Sequence, residues 1–149
     1  MRAPEDVITP CTCFAIRRAA RHLTQAYDRS LAPCGIRTTQ FSLLNHLAKA
    51  GPRSIQALAH DMGLDRTTLG RNLRPLERDG YVAIGVAAHD RRGRALRITE
   101  KGEAKRREAH ALWQAAQARF AATYGPEQTR ALHETLDAVA RLELAEAAA

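Results

Sequence analysis

Arg66, Thr67, Thr68, Arg71 and Asn72 crowd five side chains that can read base edges into one short stretch. An arginine can donate two parallel hydrogen bonds to guanine, an asparagine can pair both ways with adenine, and a threonine methyl can sit against thymine. Arg74 and Arg78 follow in the same stretch and suit phosphate oxygens. A second basic group, His89-Asp90-Arg91-Arg92-Gly93-Arg94, lies further on, where burial cannot explain three arginines. An arginine at such a tip suits the narrow, electronegative minor groove. Asp90 is expected to pair with a neighbouring arginine and hold the tip in shape. Arg53 and Ser54, ahead of the first group, complete the candidate DNA contacts.

The elements needed to present these groups follow from periodicity. Between Cys11 and about Ala32, Phe14, Ala19, Leu23, Ala26 and Leu31 recur at helical spacing, and Pro33 and Gly35 end the run. A second helix is expected from Thr38 or Thr39, either of which could cap it, with Phe41, Leu44 and Leu47 inward and an end before Gly51-Pro52. Ser54 caps a short third helix, Gly63 makes the turn, and Asp65 caps a fourth. In the fourth, Leu69, Leu73 and Leu76 share a face, which leaves the arginines on others. Pro75 costs about 3 kcal/mol inside a helix. The apolar stripe stays in phase through Leu76, so a bend is expected there, with the end at Gly80. Tyr81–Val86 and Ala95–Thr99 read as two short strands joined by a long polar tip. Thr99 then caps a long helix to about Tyr124, Gly125-Pro126 breaks it, and Leu132, Leu136, Val139 and Leu142 mark a last helix.

The order is helix, turn, helix and basic hairpin. The fold class is therefore mainly α with a small β-hairpin wing: a winged helix-turn-helix module flanked by N- and C-terminal dimerisation helices. The expected divisions are 1–35 (arm and dimerisation helix), 36–100 (DNA-binding lobe) and 101–149 (dimerisation helices). A module of about 60 residues cannot cover every apolar stripe on the flanking helices, and a homodimer about a two-fold axis is the economical remedy. Two recognition helices about 34 Å apart would enter successive major grooves of a near-palindromic operator in double-stranded DNA.

Charge is distributed to match. The chain carries a net charge of +7 over 149 residues, and Arg53–Arg107 holds 13 Lys/Arg against 7 Asp/Glu. From Glu108 onward the balance reverses to 3 against 6. The middle therefore faces a polyanion and the tail does not. No apolar run approaches the roughly 20 residues that span a bilayer, and the first ten residues lack the apolar core of a secretory signal. A cytoplasmic protein with reduced thiols and no membrane partner is expected.

The segment ending LERDGYV, the wing motif Asp90-Arg91-Arg92 and the exit RITEKG (Arg97–Gly102) together make the chain resemble the MarR family of winged helix-turn-helix regulators, over essentially its full length. The resemblance implies an obligate dimer held by terminal helices, with Arg92 entering the minor groove. It also implies a repressor that releases DNA on binding a small phenolic or aromatic molecule, or on thiol oxidation.

For sensing, three chemistries stay open. Cys13-Phe14-Ala15-Ile16 is similar to the reactive-cysteine segment of the organic-peroxide sensors in this family, and Arg17 and Arg18 could favour a thiolate. The supporting tyrosines of those sensors are replaced by Thr38 and Phe41, and no cysteine follows Cys34. Cys11, Cys13 and Cys34 could suit a soft metal, but no spacing makes a zinc site, so no metal or cofactor is expected. An organic-acid effector could instead enter a cleft lined by Arg17, Arg21, His22, Arg37 and His46. No nucleophile, base and acid set or phosphate-cradling loop is present, so no enzyme is expected. A non-specific architectural DNA-binding protein is the other alternative to a repressor.

Overall fold

The structure, a computed structural model, describes residues 11–87 and 90–144, with the side chains of 87 and 90–92 left out. The expected N-terminal arm, His89 and the side chains of Asp90, Arg91 and Arg92 therefore lie outside the described residues.

Helix α1 spans Thr12–Leu31 and is capped by Cys11, whose sulfur accepts from the Phe14 amide at 3.4 Å. Pro33 cannot donate to the turn before it, and the chain tightens into a 3-10 turn, Ala32–Cys34, closed by Gly35 at φ 76°. Helix α2 spans Thr38–Ala50, and neither expected threonine caps it. The cap is Arg37, whose amide donates to Gln40 Oε1 at 2.8 Å, while the Thr38 amide donates to Asp28 Oδ1 at 2.8 Å. Gln40, from the first turn of α2 itself, and Asp28, from α1, satisfy these amides, so both threonines fall inside the helix.

Ser54 caps α3 (Ile55–Met62), accepting from the Ala57 amide at 3.1 Å, and Gly63 turns the chain at φ 62°. Helix α4 (Arg66–Arg78) runs past Pro75 without ending. Leu69, Leu73 and Leu76 are buried as expected and join Leu31, Phe41, Leu44, Leu47, Leu58 and Leu96 in one core.

Strands β1 (Val82–Ala87) and β2 (Asp90–Ile98) pair antiparallel, and here the expectation of a long polar tip is corrected. The ladder runs from Val82↔Ile98 to Val86↔Arg94 and then jumps to Ala87↔Asp90, so residues 91–93 form a bulge within β2. Asp90–Arg94 is thus strand rather than loop. A ribbon open to solvent draws its stability from the backbone ladder and tolerates polar side chains, which is why polarity misplaced its end. Arg53 extends the sheet, exchanging backbone hydrogen bonds with Leu96 at 2.9 and 2.7 Å.

Helix α5 (Glu100–Tyr124) starts under a Thr99 cap: the hydroxyl accepts from the Gly102 amide at 3.0 Å and donates to the Gly80 carbonyl at 2.7 Å. Its first turns pack on the core, with Trp113 against Phe41 at 5.8 Å between ring centres. The chain forms two compact units, the first running to Trp113 and the second starting at Gln114. Within the second, α6 (Pro126–Ala140) follows α5, Thr129 Oγ1 donates to the Gly125 carbonyl at 2.8 Å, and Phe120 stacks on Tyr124. Leu142 falls beyond the end of α6.

Candidate nucleic-acid interface

Successive residues of a helix are about 100° apart. That spacing sets Leu69, Leu73 and Leu76 on one side of α4 and Thr67, Arg71, Arg74 and Arg78 on the other, and all four of the latter are exposed. Arg66 is exposed at the N-terminal end, while Thr68 and Asn72 flank the stripe and are half-buried. The first two turns thus project arginine, threonine and asparagine together, at the end of the helix that carries the positive pole of the backbone dipole.

Two of the candidates on α4 are already engaged. The Thr68 hydroxyl donates to Asp65 Oδ2 at 2.6 Å while its amide donates to Oδ1 at 2.8 Å. Thr68 therefore has its methyl, not its hydroxyl proton, to offer a base. The same bonds, the hydroxyl first, hold the Asp65 carboxyl below the usual carboxylate range. Arg78 Nε lies 3.0 Å from Asp79 Oδ1, and this hydrogen bond lowers the Asp79 carboxyl in turn. A phosphate would have to compete for that guanidinium.

Several other cations of the basic middle serve the fold. Lys101 Nζ donates to the Asp79 carbonyl at 2.7 Å and lies 5.2 Å from the centre of the Tyr81 ring. Lys105 Nζ reaches the Cys34 carbonyl at 2.9 Å and Glu108 at 2.7 Å, and Arg106 Nη2 pairs with Glu103 at 2.6 Å. Arg53 Nε sits 3.2 Å from Asp61 Oδ2, close enough for an ion pair but misaligned for a hydrogen bond. His46 Nε2 shares that carboxylate at 3.0 Å. Among the described residues of Arg53–Arg107, the arginines Arg66, Arg71, Arg74, Arg94, Arg97 and Arg107 remain exposed and without an ion pair. Arg94 stands opposite Val86 in the wing, and Arg97, which sequence reasoning passed over, stands opposite Ala83. Its place between the inward Leu96 and Ile98, on the outward side of an alternating strand, was the signal that could have found it.

The candidate effector residues disperse. A cavity of about 460 Å³ opens between the end of α1 and the segment leading into α2, with Gln25, Asp28, Arg29, Ile36 and Arg37 in its wall. Arg37 is there; Arg17, Arg21, His22 and His46 are not. Arg29 was missed; it lies eight residues beyond Arg21, about 80° further round the helix. Cys11 and Cys13 are exposed, and Cys34 is buried with its thiol donating to the Leu31 carbonyl at 3.0 Å. Among the described residues no three of His, Cys, Asp and Glu gather where a metal ion could be held. No described helix is long and apolar enough to cross a membrane.

A recognition helix under a two-stranded wing defines a winged helix-turn-helix DNA-binding protein. The family model that matches, over residues 35–93, is that of the MarR family. The transcriptional regulator MosR of M. tuberculosis is 36% identical, the match covering 91% of this chain and 100% of that one at a TM-score of 0.75. MosR solved with DNA aligns at 39% identity over 89% of this chain and 100% of that one, TM-score 0.73. CouR, a transcriptional repressor bound to a 23-mer DNA duplex, aligns at 26% identity over 95% and 100%, TM-score 0.80. The chain belongs to the MarR family of DNA-binding transcriptional regulators. Its relatives are regulators, not enzymes.

Proposed function

We propose that this chain is a dimeric, sequence-specific repressor that leaves its operator when a small aromatic or organic acid binds. The observation that carries the reading is the stripe Thr67–Arg71–Arg74 beside Arg66, exposed on a helix whose opposite face is core. Bases would be read by Arg66, Thr67, Arg71, Asn72 and the Thr68 methyl, and phosphates met by Ser54 and Arg74. The wing, with Arg91, Arg92 and Arg94, would follow the adjacent minor groove. MosR and CouR have both been solved on DNA, which supports the assignment.

Dimerisation through residues 1–35 and 101–149 is supported by apolar side chains left in water in both segments. Phe14 is 64% exposed and Leu142 62%, with Ile16 and Val139 also open. Burying such groups against a second copy would return about 25 cal/mol for each Å². Release by an acid is supported by the cavity whose wall holds Arg29 and Arg37 beside Asp28, since a guanidinium suits a carboxylate. CouR has been solved with p-coumaroyl-CoA. A second reading, oxidant sensing through Cys13, rests on the exposure of that thiol on α1. Footprinting on the DNA upstream of the gene is expected to show a protected near-palindrome bound by two protomers. Uniform protection without sequence preference would refute the repressor and favour an architectural protein.

A further inference from the structure

Among the described residues five glycines, Gly35, Gly51, Gly63, Gly80 and Gly125, have positive φ, where a side chain is strained. Gly102 is demanded by contact, because a Cβ there would overlap the Tyr81 carbonyl. Gly70 meets neither demand. It lies in the middle of α4 with ordinary helical backbone, and a Cβ built on it meets no atom within 4 Å. In a helix interior glycine is poorer than every residue but proline. The fold of this protomer therefore loses stability at Gly70 and gains no contact or turn in return.

What surrounds Gly70 is the candidate reading surface. Arg66 and Arg74 lie four residues to either side, Thr67 is one turn before, and Arg71 is next along the chain. We propose that Gly70 is a specificity-determining position, at which base-pair edges on the floor of the major groove come nearest to the backbone of α4. The bare backbone lets the helix sink until Thr67 and Arg71 reach hydrogen-bond distance of the bases. A complex held only by phosphates does not need that depth. The inference rests on the DNA-reading function proposed above.

The test is Gly70→Ala in the full chain, with Gly70→Leu as a larger probe. Affinity is measured on a labelled duplex that the unmodified protein selects from a randomised pool, and on a scrambled duplex at the same salt. Gly70→Ala is expected to raise the melting temperature by about 2 to 4 °C, because alanine is the better helix former and has room. On the selected duplex it should lose about tenfold in affinity, and Gly70→Leu about a hundredfold, within the range a single misread base pair costs. On the scrambled duplex both should stay within about twofold of the unmodified protein, since phosphate contacts persist. Unchanged affinity, or an equal loss on both duplexes, would overturn the inference while leaving the DNA-reading function intact. A lowered melting temperature for Gly70→Ala would overturn it too, by showing that the fold needs the glycine. Failure of the unmodified protein to enrich any duplex would instead refute the function on which the inference stands.

Discussion

Replacing Gly102 by alanine should weaken the fold, and the size of the loss can be worked from its surroundings. The added methyl would overlap the Tyr81 carbonyl oxygen, with the carbonyl carbon at 2.8 Å and Ile98 Cγ1 at 2.9 Å. The carbonyl is backbone and cannot swing aside. It also accepts from the Thr99 amide at 3.0 Å and shares the single Thr99 hydroxyl proton, at 3.2 Å, with the nearer Gly80 carbonyl. Moving the first turn of α5 away from it would sacrifice one or two such bonds, at about 1 kcal/mol each. Crowding Ile98 against its neighbours adds about 1 to 3 kcal/mol, as other overpacked sites do. Alanine returns at most about 1 kcal/mol through helix propensity. The balance is a loss of about 2 kcal/mol, or about 4 to 8 °C in melting temperature for a domain of this size. Circular dichroism melts at one fixed protein concentration would measure it, since the melting temperature of an oligomer shifts with concentration. An unchanged or raised melting temperature would refute the reasoning, because it would mean that α5 does not press on the start of the wing.

Arg71→Ala should relax base preference, whereas Arg74→Ala should weaken binding nearly evenly across sequences and lower the salt slope by about 1. Binding to a mismatch series at several salt concentrations separates them, and identical behaviour would contradict the assignment. If the effector is an acid held in the cavity at Arg29 and Arg37, Arg37→Ala should raise the concentration of an aromatic carboxylic acid needed for release, read by titration of the protein–DNA complex; an unaltered midpoint excludes that cavity. If Cys13 is the switch, Cys13→Ser should abolish release by peroxide, and full release in that variant dismisses the thiol. Thr68 lowers the Asp65 carboxyl, Arg78 that of Asp79, and Arg106 that of Glu103. In the unfolded chain these groups take up protons first, so their stabilisation is complete above about pH 5 and is lost as pH falls through the folded values. Melting temperatures should fall below about pH 5, and Glu103→Gln should lessen that fall; a rise on acidification would contradict the sign.

Helices were legible in the sequence where one local signal decides the matter. Ser54 and Asp65 cap α3 and α4 because each carries an oxygen that reaches an amide three residues on, and both bonds are present. Leu69, Leu73 and Leu76 fall in the core because their spacing matches the helix period. Features set by distant groups were not legible. At the start of α2 the Thr38 amide is met by Asp28, ten residues away, and no local pattern announces that bond. The extent of the wing depends on a bulge in the β1–β2 ladder, whose register is a property of two strands together. The candidate site divides along the same line. Residue type and helical phase were enough to bring Arg66, Thr67, Arg71 and Arg74 to one surface. They could not foresee that the Thr68 hydroxyl is spent on a cap, Arg78 on Asp79, or His46 and Arg53 on a shared carboxylate.

The two glycines show why such commitments matter to function. Gly102 and Gly70 look alike in the sequence, each a helix-weakening residue inside a helix. One is explained by an atom of its own chain, the Tyr81 carbonyl, and its alanine variant should melt earlier. The other has no such atom, so its alanine variant should melt later and read DNA less well. An opposite pair of shifts from one substitution separates a residue kept for the fold from one kept for what the fold meets. The same comparison extends to the cations. Lys101 and Lys105 are held on carbonyls of their own chain and should affect stability more than the salt slope, whereas Arg71 and Arg74 should do the reverse. Net charge cannot distinguish the two groups, because each contributes a full positive charge; only the geometry of their partners does.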